Sequence, residues 1–478
     1  CCPLQGGRRK RNAVREAWGC SIVPLGVCHH PAMNQLQLFL PCAAGVEQYL
    51  AEEVHGLTGL MGQDLQTLRG GVLVRASWRD ALLLNLHSRL AQRVLVQLSF
   101  TNYRSEKDLY EAASAVAWEI WFTTKQTFKI EVTAQHSPLT SLNFAALKIK
   151  DAVADRFRNK RGERPSVDTQ WPDVRIYAHL TTDTATLYID TSGEPLFKRG
   201  WREDKGDAPL KETLAAAMIA ASGWDPLGDS PLPLYDPCCG SGTIAIEAAQ
   251  IACGIAPGLL RRFGFEKLLP FQSHVWSAIK NEAEGAIHAS AAPIFGSDVA
   301  HRMVDFSERN AQRAGVAQAI EFRGGDALQR MPPAERVVML LNPPYGERIA
   351  AAGVAGRPAV QARLRGGAGG DRGRPSESTQ YEDPFADSPY SAPQAPSGGR
   401  ETAHTDDGGE FFSQLATHWK KNYAGWTAWM LTPDLKLPGK MRLKESRRVP
   451  MWNGPIECRL FRFDMVRGSA RDKPADPS

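Results

Sequence analysis

In the second half of the chain, four short strand-like segments are each followed at once, or within a few residues, by an acid or an asparagine. These polar residues are Asp236, Asp298, Asp326 and Asn342, which follow residues 233–235, 292–297, 319–323 and an apolar run ending at Leu341. The carboxyl ends of parallel strands meet at one edge of a sheet, so the four side chains are expected to line one crevice. The pattern limits this half of the chain to an α/β fold.

The first of these strand ends leads into a glycine-rich turn. Asp236 begins the sequence Asp-Pro-Cys-Cys-Gly-Ser-Gly-Thr, and a helical run over residues 243–253 follows. Gly240 and Gly242 allow close approach of the backbone to a ligand, and the free N–H groups of a helix start bind a carboxylate. The turn therefore predicts a nucleoside cofactor that carries an amino-acid part.

The three acids suggest how such a cofactor would be held. Asp236 could face its ammonium group, Asp298 its ribose hydroxyls and Asp326 its adenine amine, with Pro237 and Cys238 in the same loop. Taken singly, each acid could equally be a helix cap or a turn residue. A dinucleotide fold places its acid roughly twenty residues after the glycines. Asp298 lies far beyond that distance, which favours S-adenosylmethionine over NAD.

The fourth strand end is the sequence Asn342-Pro343-Pro344-Tyr345. The Asn342 side-chain oxygen and the Pro343 carbonyl could accept both N–H groups of a planar amine and turn its lone pair towards a methyl donor. Pro343 and Pro344 fix two φ angles, and Tyr345 offers a face on which an unstacked base can lie. An ordinary Pro-Pro turn after a buried strand is the alternative. We interpret these four residues as the catalytic loop of an amine methyltransferase.

Several motifs together resemble those of the bacterial THUMP-containing guanine-N2 methyltransferases of large-subunit ribosomal RNA, the RlmL type. They are Asp236 to Thr243, the sequence PLKETLAAAM at 209–218, Gly-Ser-Asp at 296–298 and Asn342 to Arg348. The resemblance extends from about Met33 to Val466, apart from one insert. It implies a Rossmann-like class I methyltransferase domain, S-adenosylmethionine as donor and guanine N2 of 23S ribosomal RNA as acceptor. Some relatives carry a second methyltransferase domain, and none is expected in this sequence.

The same resemblance divides the chain into modules. Residues 33–88 resemble a ferredoxin-like α+β module, residues 89–201 a THUMP RNA-binding domain and residues 202–466 the methyltransferase domain. Residues 1–32 begin with Cys, include Arg8 to Arg11 and are expected to be a disordered or non-native extension. A natural start near Met33 is favoured over an RNA-binding arm. Residues 467–478 are expected to form a disordered tail.

A helix is predicted over residues 143–159, and its polar face is basic. Apolar residues recur there at helical spacing, whereas residues 148–164 carry seven basic residues against three acidic ones. Either this face binds RNA phosphates or it is simply a solvated helix face. The candidate RNA-binding residues are Lys148, Lys150, Arg156, Arg158, Lys160 and Arg161.

Residues 351–409 interrupt the catalytic domain with a composition rich in Gly, Pro, Ser, Arg and Asp. Such a segment buries too little apolar surface to offset the entropy lost on ordering, which predicts a disordered insert. A more specific alternative is that the arginines of this segment contact RNA. Its position, directly after the acceptor loop, favours an insert that the chemistry tolerates.

Composition is typical of a multi-domain enzyme of the reduced cytoplasm. The 478 residues are 43% hydrophobic and 23% charged, with a net charge of +5. None of the nine cysteines forms a CxxC pair, so neither a zinc site nor a disulfide framework is expected, and no apolar run reaches the length of a membrane span.

We therefore expect ribosomal RNA as the partner, S-adenosylmethionine as the cofactor and no metal. Two classes of alternative remain open. One is methylation of another amine, such as tRNA guanine N2, adenine N6 or a protein glutamine. The other is a non-catalytic RNA-binding protein of ribosome assembly, against which the intact Asp236, Gly240, Gly242 and Asn342 argue. Oligomeric state and the modified nucleotide are not predicted.

Overall fold

The computed structural model describes residues 33, 35–206, 209–343 and 408–466. Each half of the chain builds its own seven-stranded sheet. The described residues include neither Pro344 and Tyr345 nor the two predicted terminal segments. Of the predicted insert, they include only residues 408 and 409.

The first sheet belongs to the N-terminal half and has the strand order β2-β3-β1-β4-β7-β6-β5. Its strands are β1 (Leu36–Pro41), β2 (Leu65–Leu68), β3 (Gly71–Ala76), β4 (Leu95–Asn102), β5 (Phe128–Ala134), β6 (Val174–Leu180) and β7 (Thr184–Asp190). Neighbouring strands are antiparallel except for the parallel pair β5 and β6. Because β1 pairs with β4, and β4 with β7, the two predicted N-terminal modules share one continuous sheet.

Four helices accompany this sheet: α1 (Glu47–Thr58), α2 (Trp78–His87), α3 (Glu106–Ala115) and α4 (Leu142–Arg161). α2 begins with a capping box in which Ser77 and Asp80 exchange hydrogen bonds, and α4 ends at Gly162 in the left-handed conformation. Ile149, Val153 and Phe157 of α4 are buried, as the helical spacing predicted.

The second sheet has the order β10-β9-β8-β11-β12-β14-β13. Its strands are β8 (Leu234–Asp236), β9 (Ile294–Asp298), β10 (Ile320–Gly324), β11 (Val338–Leu341), β12 (Thr427–Thr432), β13 (Arg447–Asn453) and β14 (Ile456–Asp464). The first five strands in this order are parallel to one another. β14 is antiparallel to both of its neighbours, β12 and β13. This is the predicted Rossmann-like α/β arrangement, and its strand order reverses at β8.

The described residues of this half form six α-helices: α5 (Glu212–Ser222), α6 (Thr243–Ala252), α7 (Ser273–Gly285), α8 (His301–Arg313), α9 (Gly408–Asn422) and α10 (Leu437–Met441). The sequence alone favours a helix that has Pro209 in its first turn and ends at Gly223. α5 does end at Gly223, but Pro209 lies outside it. The helix begins at Glu212, whereas Pro209 and Leu210 are not helical and line the cleft described below. The sequence Asn453-Gly454 predicts a hairpin turn, and β13 and β14 do pair as an antiparallel hairpin with Gly454 and Pro455 in its loop.

A buried ionic cluster joins the two halves. Arg89, from the N-terminal half, and Arg199, which follows that half, both contact the carboxylate of Glu247, at 3.4 and 3.1 Å. Glu247 is fully buried on α6. Since an unpaired buried charge is costly, this cluster fixes α6 against the N-terminal half.

Candidate active site

A cleft of about 450 Å³ opens at the carboxyl edge of the second sheet. Its lining includes all four polar residues predicted from the strand ends, Asp236, Asp298, Asp326 and Asn342. Asp236 ends the central strand β8, and the neighbouring strands β9 and β11 bring Asp298 and Asn342 to its two sides. The cleft therefore lies where the strand order reverses, which is the usual ligand site of an open α/β sheet.

The glycine turn between β8 and α6 forms one wall. Gly240 has a φ of 54°, and a Cβ built on it would meet nothing within 4 Å, so its backbone is open to a ligand. Pro237 and Cys238 also line the cleft. Gly242, with a φ of 88°, does not: it precedes the first residue of α6, and a Cβ there would approach Ser307 to 3.1 Å.

Asp236 is the most perturbed acid of the cleft. Burial, with a smaller contribution from the nearby charge of Asp298, raises the pKa of its carboxyl to about 8. Its Oδ1 accepts a hydrogen bond from the backbone N–H of Cys238 at 3.1 Å. A carboxyl that is mostly protonated at neutral pH and faces a cleft is suited to a cationic ligand group, which would favour its charged form.

Asp298 and Asp326 have different surroundings. Asp298 accepts hydrogen bonds from the backbone N–H groups of Gly240 at 3.0 Å and Ala300 at 2.9 Å, and burial raises its pKa. Asp326 follows β10 and accepts from the backbone N–H of Leu328 at 2.9 Å, as a turn residue does. Both nevertheless line the cleft, so their roles as turn residues and as ligand contacts are compatible.

Asn342 directly follows β11, and its side-chain oxygen, Oδ1, is a buried acceptor without a donor among the described residues. Leaving such an acceptor unpaired costs about 1–3 kcal/mol, so its position beside an open cleft points to a donor supplied by a ligand. Pro343 lines the cleft next to it.

Several lining residues were missed by the sequence analysis. Gly206, Pro209 and Leu210 belong to the segment at residues 201–210, which approaches the cleft from the N-terminal half. Asp204 of this segment pairs with Arg309 and Arg313 of α8 at 2.8 and 2.6 Å. Phe411 of α9 lines the cleft as well, although it lies far along the chain from the other residues. Pro209 and Leu210 belong to the motif at residues 209–218, although they were not named as site residues. No local pattern marks Gly206 or Phe411, which only tertiary packing brings to the cleft.

Residues of the glycine turn itself were also overlooked. Ser241 and Thr243 line the cleft, and Arg202 donates hydrogen bonds to both hydroxyl oxygens. In the RlmL-type proteins that the chain resembles, the corresponding segment lies beside the cofactor, so a contribution from Lys211, Glu212 or Thr213 is expected. Glu212 does not line the cleft, but it accepts a hydrogen bond from the same Arg202 at 2.7 Å.

The six candidate RNA-binding residues lie on α4 and do not line the cleft. Arg156 donates two hydrogen bonds to the Glu119 carboxylate, at 3.0 and 2.6 Å, and one to the Ser114 carbonyl. Its pairing lowers the pKa of Glu119. Arg158 and Lys150 contact Asp155 and Asp151 near the protein surface. Arg156 thus has a structural partner, whereas Lys160 and Arg161 are exposed in the last turn.

The described residues contain neither a helix long and apolar enough to cross a membrane nor a group of three metal-ligating side chains placed to hold an ion.

Comparison with protein families assigns three domains to the chain. Residues 37–95 match the RlmL ferredoxin-like domain, residues 103–190 the THUMP domain and residues 199–357 the RMKL-like methyltransferase domain. The chain is therefore a THUMP-containing protein of the Rossmann-like methyltransferase fold. These three matches agree with the resemblance that its motifs show to the RlmL-type proteins.

Individual relatives agree with this assignment. The chain is 34% identical over 92% of its length to the ribosomal RNA large subunit methyltransferase K/L of Psychromonas ingrahamii, and it spans about half the length of that and the other curated relatives it matches. A solved structure of SMU.472, a protein assigned as a methyltransferase and complexed with S-adenosylhomocysteine (SAH), is 25% identical with a TM-score of 0.71, covering 91% of this chain and 99% of that one. A predicted N6-adenine-specific DNA methylase from Listeria monocytogenes is 25% identical with a TM-score of 0.70, covering 90% and 97%.

Proposed function

We propose that the protein transfers a methyl group from S-adenosylmethionine to the N2 amine of a guanine in 23S ribosomal RNA. The observation that carries this proposal is the unpaired, buried Oδ1 of Asn342 in the same cleft as Asp236 and the glycine turn. A methyl donor and an amine acceptor must meet within one site, and this cleft offers groups for both.

The residues of the cleft fit the proposed cofactor. Asp236 would hold its ammonium group, Asp298 its ribose hydroxyls and Asp326 its adenine amine, while Pro237, Cys238 and Gly240 would border it. Gly242 would act indirectly, by shaping the start of α6. S-Adenosylmethionine, when bound, supplies an electrophilic methyl group on its sulfonium.

Asn342 and Pro343 would prepare the acceptor. The Asn342 Oδ1 would accept one N–H of the amine and the Pro343 carbonyl the other, so that the nitrogen lone pair faces the methyl group. Pro344 and Tyr345, which lie outside the described residues, would complete the loop and stack the base. The amine would lose its proton to water after transfer, since no dedicated base is needed for the resulting cation. Proximity and orientation can supply roughly 7–11 kcal/mol of such a barrier.

The choice of RNA, and of guanine, is the finer part of the proposal. It is supported by the THUMP match, by the relatives' name and by the basic surface of α4. The relatives' name specifies neither the base nor the atom, and the Listeria neighbour is named for adenine N6. Adenine N6 is therefore the second candidate acceptor. If the substrate is bacterial ribosomal RNA, the reaction takes place in the cytoplasm.

Two measurements test the enzyme class. Calorimetry should show binding of SAH and no specific binding of NADH. Incubation with methyl-labelled S-adenosylmethionine and equal masses of unmodified 23S RNA, 16S RNA and tRNA should label the 23S RNA preferentially. Binding of SAH without transfer to any RNA would support the alternative of a non-catalytic RNA-binding protein, and preferential labelling of tRNA would reassign the substrate.

A further inference from the structure

Arg202 lies behind the glycine turn and connects three other side chains. Its guanidinium donates to the hydroxyl oxygens of Ser241 and Thr243, each at 2.7 Å, and to Glu212 Oε1, also at 2.7 Å. The side chains of Arg202 and Glu212 are only 12% and 4% exposed. The arginine is therefore held in one orientation, and its charge is balanced by the buried carboxylate.

These contacts fix the direction of the two hydroxyl protons. A hydroxyl oxygen that accepts from a guanidinium must point its own O–H elsewhere. Among the described residues, neither Ser241 nor Thr243 donates to a protein acceptor, although both are more than nine-tenths buried. Both line the cleft at the start of α6, so an acceptor for their protons can be supplied from the cleft.

We propose that Arg202 is a positioning residue that presents the Ser241 and Thr243 hydroxyls as donors to the α-carboxylate of the cofactor. This inference rests on the proposed function and assigns the part of the cleft that takes the cofactor's amino-acid end. The carboxylate would receive these two O–H groups together with the N–H groups of the first turn of α6, where a helix favours an anion. Arg202 does not line the cleft, so it would act on the carboxylate only through the two hydroxyls.

Asp236 lies in the same cleft, on the preceding strand end. The Asp236 carboxylate would face the cofactor's ammonium group, and the two hydroxyls would donate to the cofactor's carboxylate. Each charged group of the amino-acid end would then have its own partner in the protein. The role assigned to Arg202 is thus specific to one end of the cofactor. This gives it a signature that general loss of stability would not produce.

The test compares two ligands, SAH and 5′-methylthioadenosine, which keeps the nucleoside but lacks the amino-acid end. In the full chain, Arg202→Ala should raise the Kd for SAH by roughly tenfold or more, the size expected for losing aimed hydrogen bonds to a charged group. Its Kd for 5′-methylthioadenosine should stay within about twofold of the parent value. The double variant Ser241→Ala with Thr243→Val should show the same ligand dependence.

Two further variants keep the test decisive. Arg202→Lys keeps the charge that pairs with Glu212 but lacks the planar fork of the guanidinium, which holds both hydroxyls at once. It replaces the alanine variant if that protein does not fold, with a weaker selective loss expected. Arg156→Gln removes a similar arginine–glutamate pair on α4 and should change neither Kd. Equal weakening of both ligands, or unchanged binding of SAH in a folded variant, would overturn the inference. If the parent protein itself does not bind SAH, the proposed function fails first.

Discussion

The carboxylate of Asp298 accepts a hydrogen bond from the backbone N–H of Gly240 across 3.0 Å, which ties the end of β9 to the glycine turn after β8. Both residues line the cleft. Asp298 therefore shapes the turn in addition to any contact it makes with a ligand, and its loss should affect the cofactor in two ways.

We expect Asp298→Ala to raise the Kd for SAH by about tenfold or more, because the variant loses a ligand contact and a hydrogen bond that supports the turn. Calorimetry would measure this. Asp168 makes a matched control, since it also accepts two backbone N–H bonds, at 2.9 and 3.0 Å, but in an exposed loop of the N-terminal half. If Asp298→Ala and Asp168→Ala both bind SAH like the parent, the ligand site has been misplaced.

Cofactor affinity should depend on pH through Asp236. Its pKa of about 8 means that the carboxyl is mostly protonated at neutral pH in the empty cleft. An ammonium group favours the charged carboxylate, so binding should release a proton, and affinity should rise as the pH increases from about 6 to about 8, by up to about tenfold per pH unit. Calorimetry in buffers of different ionisation enthalpy would detect the released proton. Affinity and heat that do not vary with pH or buffer would show that Asp236 does not face the ammonium group.

Asn342→Ala should lose turnover on the order of a hundredfold or more, because one aimed hydrogen bond at the reacting centre disappears. Its affinity for SAH should remain close to that of the parent, since the amide is assigned to the acceptor. Single-turnover kinetics with saturating RNA and cofactor would separate the two effects. A turnover within about threefold of the parent rate would rule out this role.

The basic surface of α4 should contribute to RNA affinity. Replacing Lys148, Lys150, Lys160 and Arg161 with Gln should weaken binding to RNAs of different sequence alike and reduce the salt dependence by about 0.7–0.9 slope units per lost contact. Turnover at saturating RNA should change far less, because none of these residues lines the cleft. Salt titrations of RNA binding would decide, with Arg156→Gln as the comparison, since that side chain is already engaged by Glu119. An unchanged slope in the fourfold variant would leave α4 as a solvated helix face.

Much of the catalytic half was predictable because β8, β9, β10 and β11 are short, and each ends at, or within two residues of, an acid or an asparagine. β9 was expected over residues 292–297 and lies at Ile294–Asp298, so the position of Asp298 at the cleft followed from the sequence. The same holds for Asn342, because β11 ends at Leu341. Parallel strands place their carboxyl ends together whatever their separation along the chain.

Other features depend on contacts that no local pattern records. The start of α5 at Glu212, the reach of Arg202 to Ser241 and the pairing of Arg156 with Glu119 all join residues through tertiary packing. Spacing shows that Arg156 lies on a charged helix face, but it does not show which charge lies opposite. The sequence likewise divides the N-terminal half into two modules but does not show that β1 and β4 pair and join them into one sheet.

The central claim is that this cleft methylates N2 of guanine in 23S ribosomal RNA, and nucleoside mass spectrometry of a reconstituted reaction tests it most directly. Unmodified 23S RNA would be incubated with the purified full chain and S-adenosylmethionine carrying a deuterated methyl group, then digested to nucleosides. We predict labelled N2-methylguanosine with the parent protein and its near-absence with Asn342→Ala. Label appearing in N6-methyladenosine, or in no nucleoside at all, would contradict the claim.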